Sequence, residues 1–248
     1  MKLRLDIFPM YGEKEIVKIP LGYRSNVISL IKEAFRIGEK GEEFFNKNYE
    51  ENTLKPFTFS VYFPNLQKSK ERFFDFNNEY FTVNFSTNNF NYLSRLYEGI
   101  RGFNNFTPFS FPVKYKLTLL PDREVFKESM IYKTMSPIVV RSFDSNTKKT
   151  NGYIGVNEKG YTHNLIEAVR YYNNRIEGLP DSLIDTIEVI PLATKETKIF
   201  FKNHLIPCTN GKFKILAHPL VQKMIYNVGL GSRRSEGFGM LEVIECIE

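Results

Sequence analysis

Two hydrophobic periods take turns along this chain, and their alternation restricts its fold more than any other feature. "KLRLDIF" alternates polar and apolar residues in the period of a strand. "NVISLIKEAFRI" then sets Val27, Ile28, Leu30, Ile31, Ala34 and Phe35 at helical spacing, a stripe to be buried. Lys32 and Arg36, four apart, fall on a different face from most of it. The polar "GEKGEEFFNKNYEENTLK" is a loop around a short helix at "EEFFNK". Strand patterns return at "PFTFSVYF" and "EYFTVNFS", with "KSKERFFDF" between them. In "NFNYLSRLYEGIRG" a second stripe runs through Phe90, Leu93, Leu96, Tyr97 and Ile100, with Gly102 as its C-cap. "FPVKYKLTLL" follows as a strand.

The second half repeats this order in a distorted form. "MIYKTMSPIVVR" is strand-like, with Pro137 demanding an edge or a break, and "KKTNGYIG" is a turn. "THNLIEAVRYYNNR" is a helix with Thr162 as N-cap and Leu165, Ile166, Val169 and Tyr172 facing inward. "LIDTIEVIPLA", "ETKIFFKNHLIP" and "GKFKILAH" are strands. "PLVQKMIYNV" is a helix running from a leading proline to Gly229, and "FGMLEVIECI" is a last strand. Strand, helix, strand pair, helix, strand is the order of a ferredoxin-like unit. The expected fold class is therefore α+β, with tandem ferredoxin-like (βαββαβ) domains whose antiparallel sheets carry helices on one face. The expected domains are residues 1–121 and 122–248, and 248 residues suffice for two cores.

Composition narrows the chemistry. The 23 Phe and 14 Tyr, without any Trp, serve mainly to fill sheet cores. A net charge of +6 admits an anionic partner. Cys208 and Cys246 stand far apart, which fits a reducing interior, and the N-terminal stretch lacks the apolar core of a secretory signal. No window reaches a membrane-spanning length, so the expectation is a cytoplasmic protein without a membrane partner. His163, His204 and His218 show no metal-ligand spacing, and neither cysteine supplies a nearby pair, so neither metal nor cofactor is expected.

One segment gathers glycine and arginine: "NVGLGSRRSEGFGMLE" at 227–242. A mononucleotide loop runs from strand to helix and carries Lys-Ser or Lys-Thr after its last glycine; here the order is reversed and that lysine is missing. A dinucleotide fingerprint fails on the same topology. Two readings stand. Gly229 caps a helix while Gly231, Gly237 and Gly239 permit positive φ in a tight connection. Alternatively, the bare backbone admits a phosphate chain, with Ser232 beside it and Arg233 and Arg234 adding forked donors. Glu236 argues for specific placement over a generic basic tail.

"GLGSRRSEGFGM" resembles the C-terminal glycine-rich loop of the Cas6 family of CRISPR RNA-processing endoribonucleases and of the wider group of repeat-associated RNA-binding proteins. "KPFTFS" at 55–60 resembles the family's early strand, and "TMSPIVV" at 134–140 the start of its second domain. The resemblance implies a protein that binds CRISPR repeat RNA (the crRNA precursor) and cuts it once per repeat without a metal. The 2′-OH attacks, leaving a 2′,3′-cyclic phosphate and a 5′-OH. It further implies a general base or acid histidine after the first helix, assisted by a tyrosine or lysine and by a second lysine. Here Lys32 falls at the helix position, Asn46 near the histidine position and Lys55 at the second lysine. An asparagine does not titrate near neutrality.

Two outcomes follow from this departure: cleavage carried by Lys32 and Lys55, or a subunit that binds repeat RNA without cutting it. A ferredoxin-like protein whose loop binds another anion is a third. Lys195, Lys198, Lys202, Lys212 and Lys214 punctuate the late strands, and "KETKIFFKNH" matches the family's RNA-contacting hairpin as well as it matches a strand with a solvated lysine face. As partners the resemblance names repeat RNA, and it leaves open a homodimer and other Cas proteins of an effector complex.

Overall fold

A computed structural model describes residues 1–11, 16–49, 53–66, 72–123, 125–144, 149–202 and 204–247. The first half contributes β1 (Lys2–Pro9), β2 (Val17–Pro20), α1 (Tyr23–Arg36), α2 (Gly41–Asn48), β3 (Phe57–Tyr62), β4 (Phe73–Phe76), β5 (Phe81–Thr87), α3 (Phe90–Arg101) and β6 (Val113–Leu120). Its main sheet has the order β3-β5-β1-β6 with antiparallel pairing throughout, and β2 and β4 form a separate ribbon. α1 buries Val27, Leu30, Ile31, Ala34 and Phe35, the stripe its periodicity requires. It meets α3 closely: a Cβ on Gly99 would lie 1.9 Å from the Ala34 carbonyl oxygen, so only glycine fits there. Phe35 packs edge-on against Phe57 and Tyr92, and Phe57 lies tilted against Phe85, which is where much of the aromatic content goes.

The second half contributes β7 (Ser129–Thr134), β8 (Val140–Asp144), β9 (Lys149–Ile154), α4 (Tyr161–Tyr172), α5 (Asp181–Ile184), β10 (Glu188–Phe201), β11 (His204–Leu216), α6 (Pro219–Val228) and β12 (Leu241–Ile247). Its main sheet has the order β10-β11-β7-β12, again antiparallel, with β8 and β9 as a ribbon. In both halves the first sheet strand lies between the third and the fourth, an arrangement consistent with ferredoxin-like folds. Among the described residues no helix is long and apolar enough to cross a membrane.

Four local expectations are corrected. The three strands expected between 183 and 218 are two long ones, β10 and β11. Pro191 is tolerated because β10 is an edge strand, and a register shift between Pro191 and Ala193 absorbs it. Of "KKTNGYIG", Lys149–Ile154 form strand β9 instead of a turn, with Gly152 at φ 97 inside it, while position 148 lies outside the described residues. Phe90 is exposed, because α3 starts with Asn89 capping Asn91 and its buried stripe runs through Tyr92 instead. The N-cap of α4 is Gly160 at φ 87, which places Thr162 in the first turn.

Lys2 is half-buried at the seam between the halves, 3.6 Å from the Tyr226 ring centroid, with Nζ 3.4 Å from the Leu241 carbonyl. Burial lowers its pKa from 10.5 to about 8, against the pull of Glu242 and Asp122. Between those values the unfolded chain holds the proton that the folded one releases, so stability rises with pH across that window. Thermal melts between neutral and alkaline pH should show the wild type gaining on Lys2→Met. A constant difference would show that Lys2 keeps its ordinary affinity for a proton.

Candidate functional site

The glycine-rich loop is the joint between the halves. Thr58 Oγ1 of β3 donates to the Phe238 carbonyl at 2.8 Å, and Arg24 Nε of α1 to the Gly237 carbonyl at 3.3 Å. From the other side, Gly239 N–H donates to Pro137 and Ser232 N–H to Val139, at 2.8 and 2.7 Å. Gly229, Gly231, Gly237 and Gly239 all have positive φ and are buried. A Cβ on Gly231 would stand 2.5 Å from the Val139 carbonyl oxygen, and one on Gly237 2.5 Å from the Phe59 ring. Protein atoms fill the space that these glycines leave, as the tight-connection reading expects.

The two adjacent arginines part company. Arg234 is 9% exposed, and its guanidinium lies 4.1 Å from the Tyr172 ring centroid. Burial lowers its pKa to about 10, so it remains a cation at neutral pH. No carboxylate pairs with it among the described residues. Arg233 stands at φ 56, half-buried, with Nε donating to the Tyr153 hydroxyl at 2.6 Å and Nη1 2.5 Å from Glu236 Oε2. The other oxygen of Glu236 is 2.5 Å from Lys202 Nζ, at the turn between β10 and β11.

Lys32 and Lys55 of the first half reach the same neighbourhood. The Tyr49 ring after α2 lies 5.6 Å from Lys32 Nζ and 4.7 Å from Lys55 Nζ. Lys55 also donates to the Thr53 carbonyl at 2.9 Å. Burial, then the charges of Lys32 and Lys202, lower the Lys55 pKa, while Glu236 opposes the shift. Burial pushes the Tyr49 phenol far up, aided by Tyr92 and Glu236, so it stays neutral. Burial works against ionisation of Glu236, yet hydrogen bonds from Lys202 and Arg233 hold its pKa below the usual value. Lys32, Lys55, Lys202, Arg233, Glu236 and Tyr49 thus make one cationic cluster with a carboxylate inside it.

The remaining sequence candidates lie outside this contact network. Asn46 is exposed on α2 and has no polar partner among the described residues. Lys198 is exposed on β10 opposite Pro207, next to the exposed Phe200 and Leu205. His163 and His204 are exposed, and His218 caps α6 by accepting from Leu220 N–H. None of the three joins the cluster. Among the described residues no group of three or more His, Cys, Asp or Glu side chains is placed to hold a metal. Sequence reasoning missed Tyr49, whose place at the end of a short polar helix gives no signal. It also missed a cleft of about 690 Å³ lined by Arg4, Tyr62, Tyr80, Asn84 and Lys133.

Chemically, the cluster can hold phosphate oxygens, and Lys55 can exchange a proton closer to neutrality than a free lysine. Comparison with known proteins gives the following. The family model described as CRISPR associated protein Cas6, C-terminal, matches residues 120–243. No curated protein sequence matches the chain. A Cas6-related gene product of Pyrococcus furiosus is 20% identical and superposes with a TM-score of 0.82, covering 99% of this chain and 98% of that one. A structure described as an RAMP protein binding different RNA substrates is 18% identical, with a TM-score of 0.81 over 99% of this chain and 100% of that one. A CRISPR associated protein Cas6 is 19% identical, with a TM-score of 0.72 over 99% of each chain. At such identities the likeness is one of fold.

Proposed function

The chain belongs to the Cas6 family of CRISPR-associated proteins, whose C-terminal model spans half of its 248 residues, and on that premise we propose that it binds CRISPR repeat RNA and cuts it. We read its halves as two ferredoxin-like domains in tandem that meet near residue 122. The observation carrying the proposal is the cluster itself: Lys32 and Lys55 from one half face Lys202 and Arg233 from the other.

In the proposed reaction the ribose 2′-oxygen bonds to the adjacent phosphorus while its proton passes to the neutral amine of Lys55. The bond from phosphorus to the 5′-oxygen breaks, and the Lys32 ammonium supplies the proton that this oxygen takes up. Lys202 and Arg233 offset the charge that builds on the non-bridging oxygens. The products are a 2′,3′-cyclic phosphate and a 5′-OH, and no step needs a metal. Asn46 contributes at most a hydrogen bond to phosphate. The cleft beside Tyr62 and Tyr80 offers aromatic faces and basic groups to unpaired RNA.

The absence of a histidine from the cluster favours a second reading, a crRNA-binding subunit that does not cut. It is in keeping with a fold shared by an RAMP protein described as binding different RNA substrates. Labelled repeat RNA incubated with the protein in EDTA separates the two. A single cut ending in a cyclic phosphate is expected. Tight binding to RNA that stays intact would leave the second reading, and equal affinity for a scrambled RNA at moderate salt would sink both.

A further inference from the structure

Lys202 and Arg233 each meet a different carboxylate oxygen of Glu236, at 2.5 Å. Both cations stand on left-handed backbone, at φ 46 and 56, which non-glycine residues seldom adopt. Tyr153 braces Arg233 from behind through its Nε. Lys55 and Tyr49 also feel the charge of Glu236, so the carboxylate sits inside the cationic cluster. A forked acceptor with one negative charge, held by two convergent cations, has the chemistry of the two non-bridging oxygens of a phosphodiester.

Building on the RNA-binding reading above, we infer that Glu236 is a resident stand-in for an RNA phosphate, filling the position that Lys202 and Arg233 present to a bound strand and swinging out when the strand arrives. Glu236 ends a three-residue turn, Arg234–Glu236, so a rotamer change frees the carboxylate without moving the backbone joint. Displacement exchanges one anion for another and leaves neither cation unpaired. A strand whose neighbouring phosphates also reach Lys32 and Lys55 makes that exchange favourable. A single small anion lacks those further contacts and competes poorly.

The test measures anisotropy of labelled repeat RNA across a KCl series, with wild-type protein and Glu236→Gln. The variant keeps the shape and loses the charge. It should bind about fivefold more tightly at low salt. Its log–log salt slope should match that of the wild type, because the bound strand contacts the same phosphates once Glu236 has swung out. In a Lys202→Gln background the gain should shrink below about twofold. Inorganic phosphate, as a competitor, should displace RNA more readily from Glu236→Gln than from the wild type. Equal or weaker RNA binding by Glu236→Gln, while the wild type binds, would overturn the inference alone and make Glu236 a strut. A fall in the thermal midpoint of Glu236→Gln accompanied by lost RNA binding would overturn it in the same way. If the wild type itself fails to bind repeat RNA, the RNA reading falls first and this one with it.

Discussion

Lys55→Ala is expected to slow single-turnover cleavage of repeat RNA by about 10²–10⁴-fold, the range for losing a positioned general base. RNA affinity should change by less than about tenfold, because one phosphate contact among several is lost. The reason lies in the surroundings of Lys55. Burial and the neighbouring charges of Lys32 and Lys202 shift it toward the neutral amine, against the pull of Glu236. A base of this kind acts when unprotonated, so the wild-type rate should rise with pH and level off above the Lys55 pKa, which lies below the ordinary 10.5. The slope should vanish in Lys55→Ala. Lys55→Arg separates charge from proton transfer: it keeps a cation yet cannot titrate in this range. If Lys55→Arg cleaves like the wild type, Lys55 serves only to hold phosphate.

Gly239→Ala should unfold the joint more than any other single methyl addition in the loop. Its backbone sits at φ 73, and the new Cβ would stand 2.0 Å from the Leu230 carbonyl oxygen, which is backbone and cannot rotate away. Leu230 N–H meanwhile bonds the Gly239 carbonyl at 2.8 Å, so moving either strand of the loop breaks that bond. Left-handed backbone and the clash together should cost about 3 kcal/mol. For a chain of this size that lowers the thermal midpoint by about 6–12 °C. Gly178→Ala is the matched control, with the same φ of 73 and nothing within 4 Å of its Cβ. It should lose only the backbone part, about 1 kcal/mol. Equal losses in the two variants would show that the loop yields to the methyl and that the joint is soft.

The amphipathic stripe of α1 was legible because every one of its buried positions obeys one period. The β10–β11 hairpin was not, since Pro191, Pro207 and Gly211 read as breaks: β10 is an edge strand, and the β11–β7 ladder begins only at Lys212, past Pro207 and Gly211. Phe90 fits the helical stripe by spacing but falls in the first turn, where the helix has not yet turned that face toward the sheet. For the site, Lys32 and Lys55 emerged from family resemblance, as spacing alone gives a lysine on a helix no task. Arg233 and Arg234 are identical neighbours in the sequence. Only the left-handed backbone at Arg233 reveals that one meets Glu236 while the other is sealed over Tyr172. Tyr49 and Glu236 draw their meaning from contacts across most of the chain, which local pattern does not carry.

The joint also sets a timetable for synthesis. Lys32 and Lys55 leave the ribosome well before the late strands of the chain. Their counterparts Lys202 and Arg233, and the backbone of Gly237 and Phe238 that docks onto Arg24 and Thr58, arrive only with the late part of the chain. A nascent chain therefore displays half of the cationic cluster without the carboxylate that occupies it. On the proposed function, ribosome-tethered intermediates should handle RNA as loose polycations do, and acquire discrimination only once the late strands have closed onto the early ones.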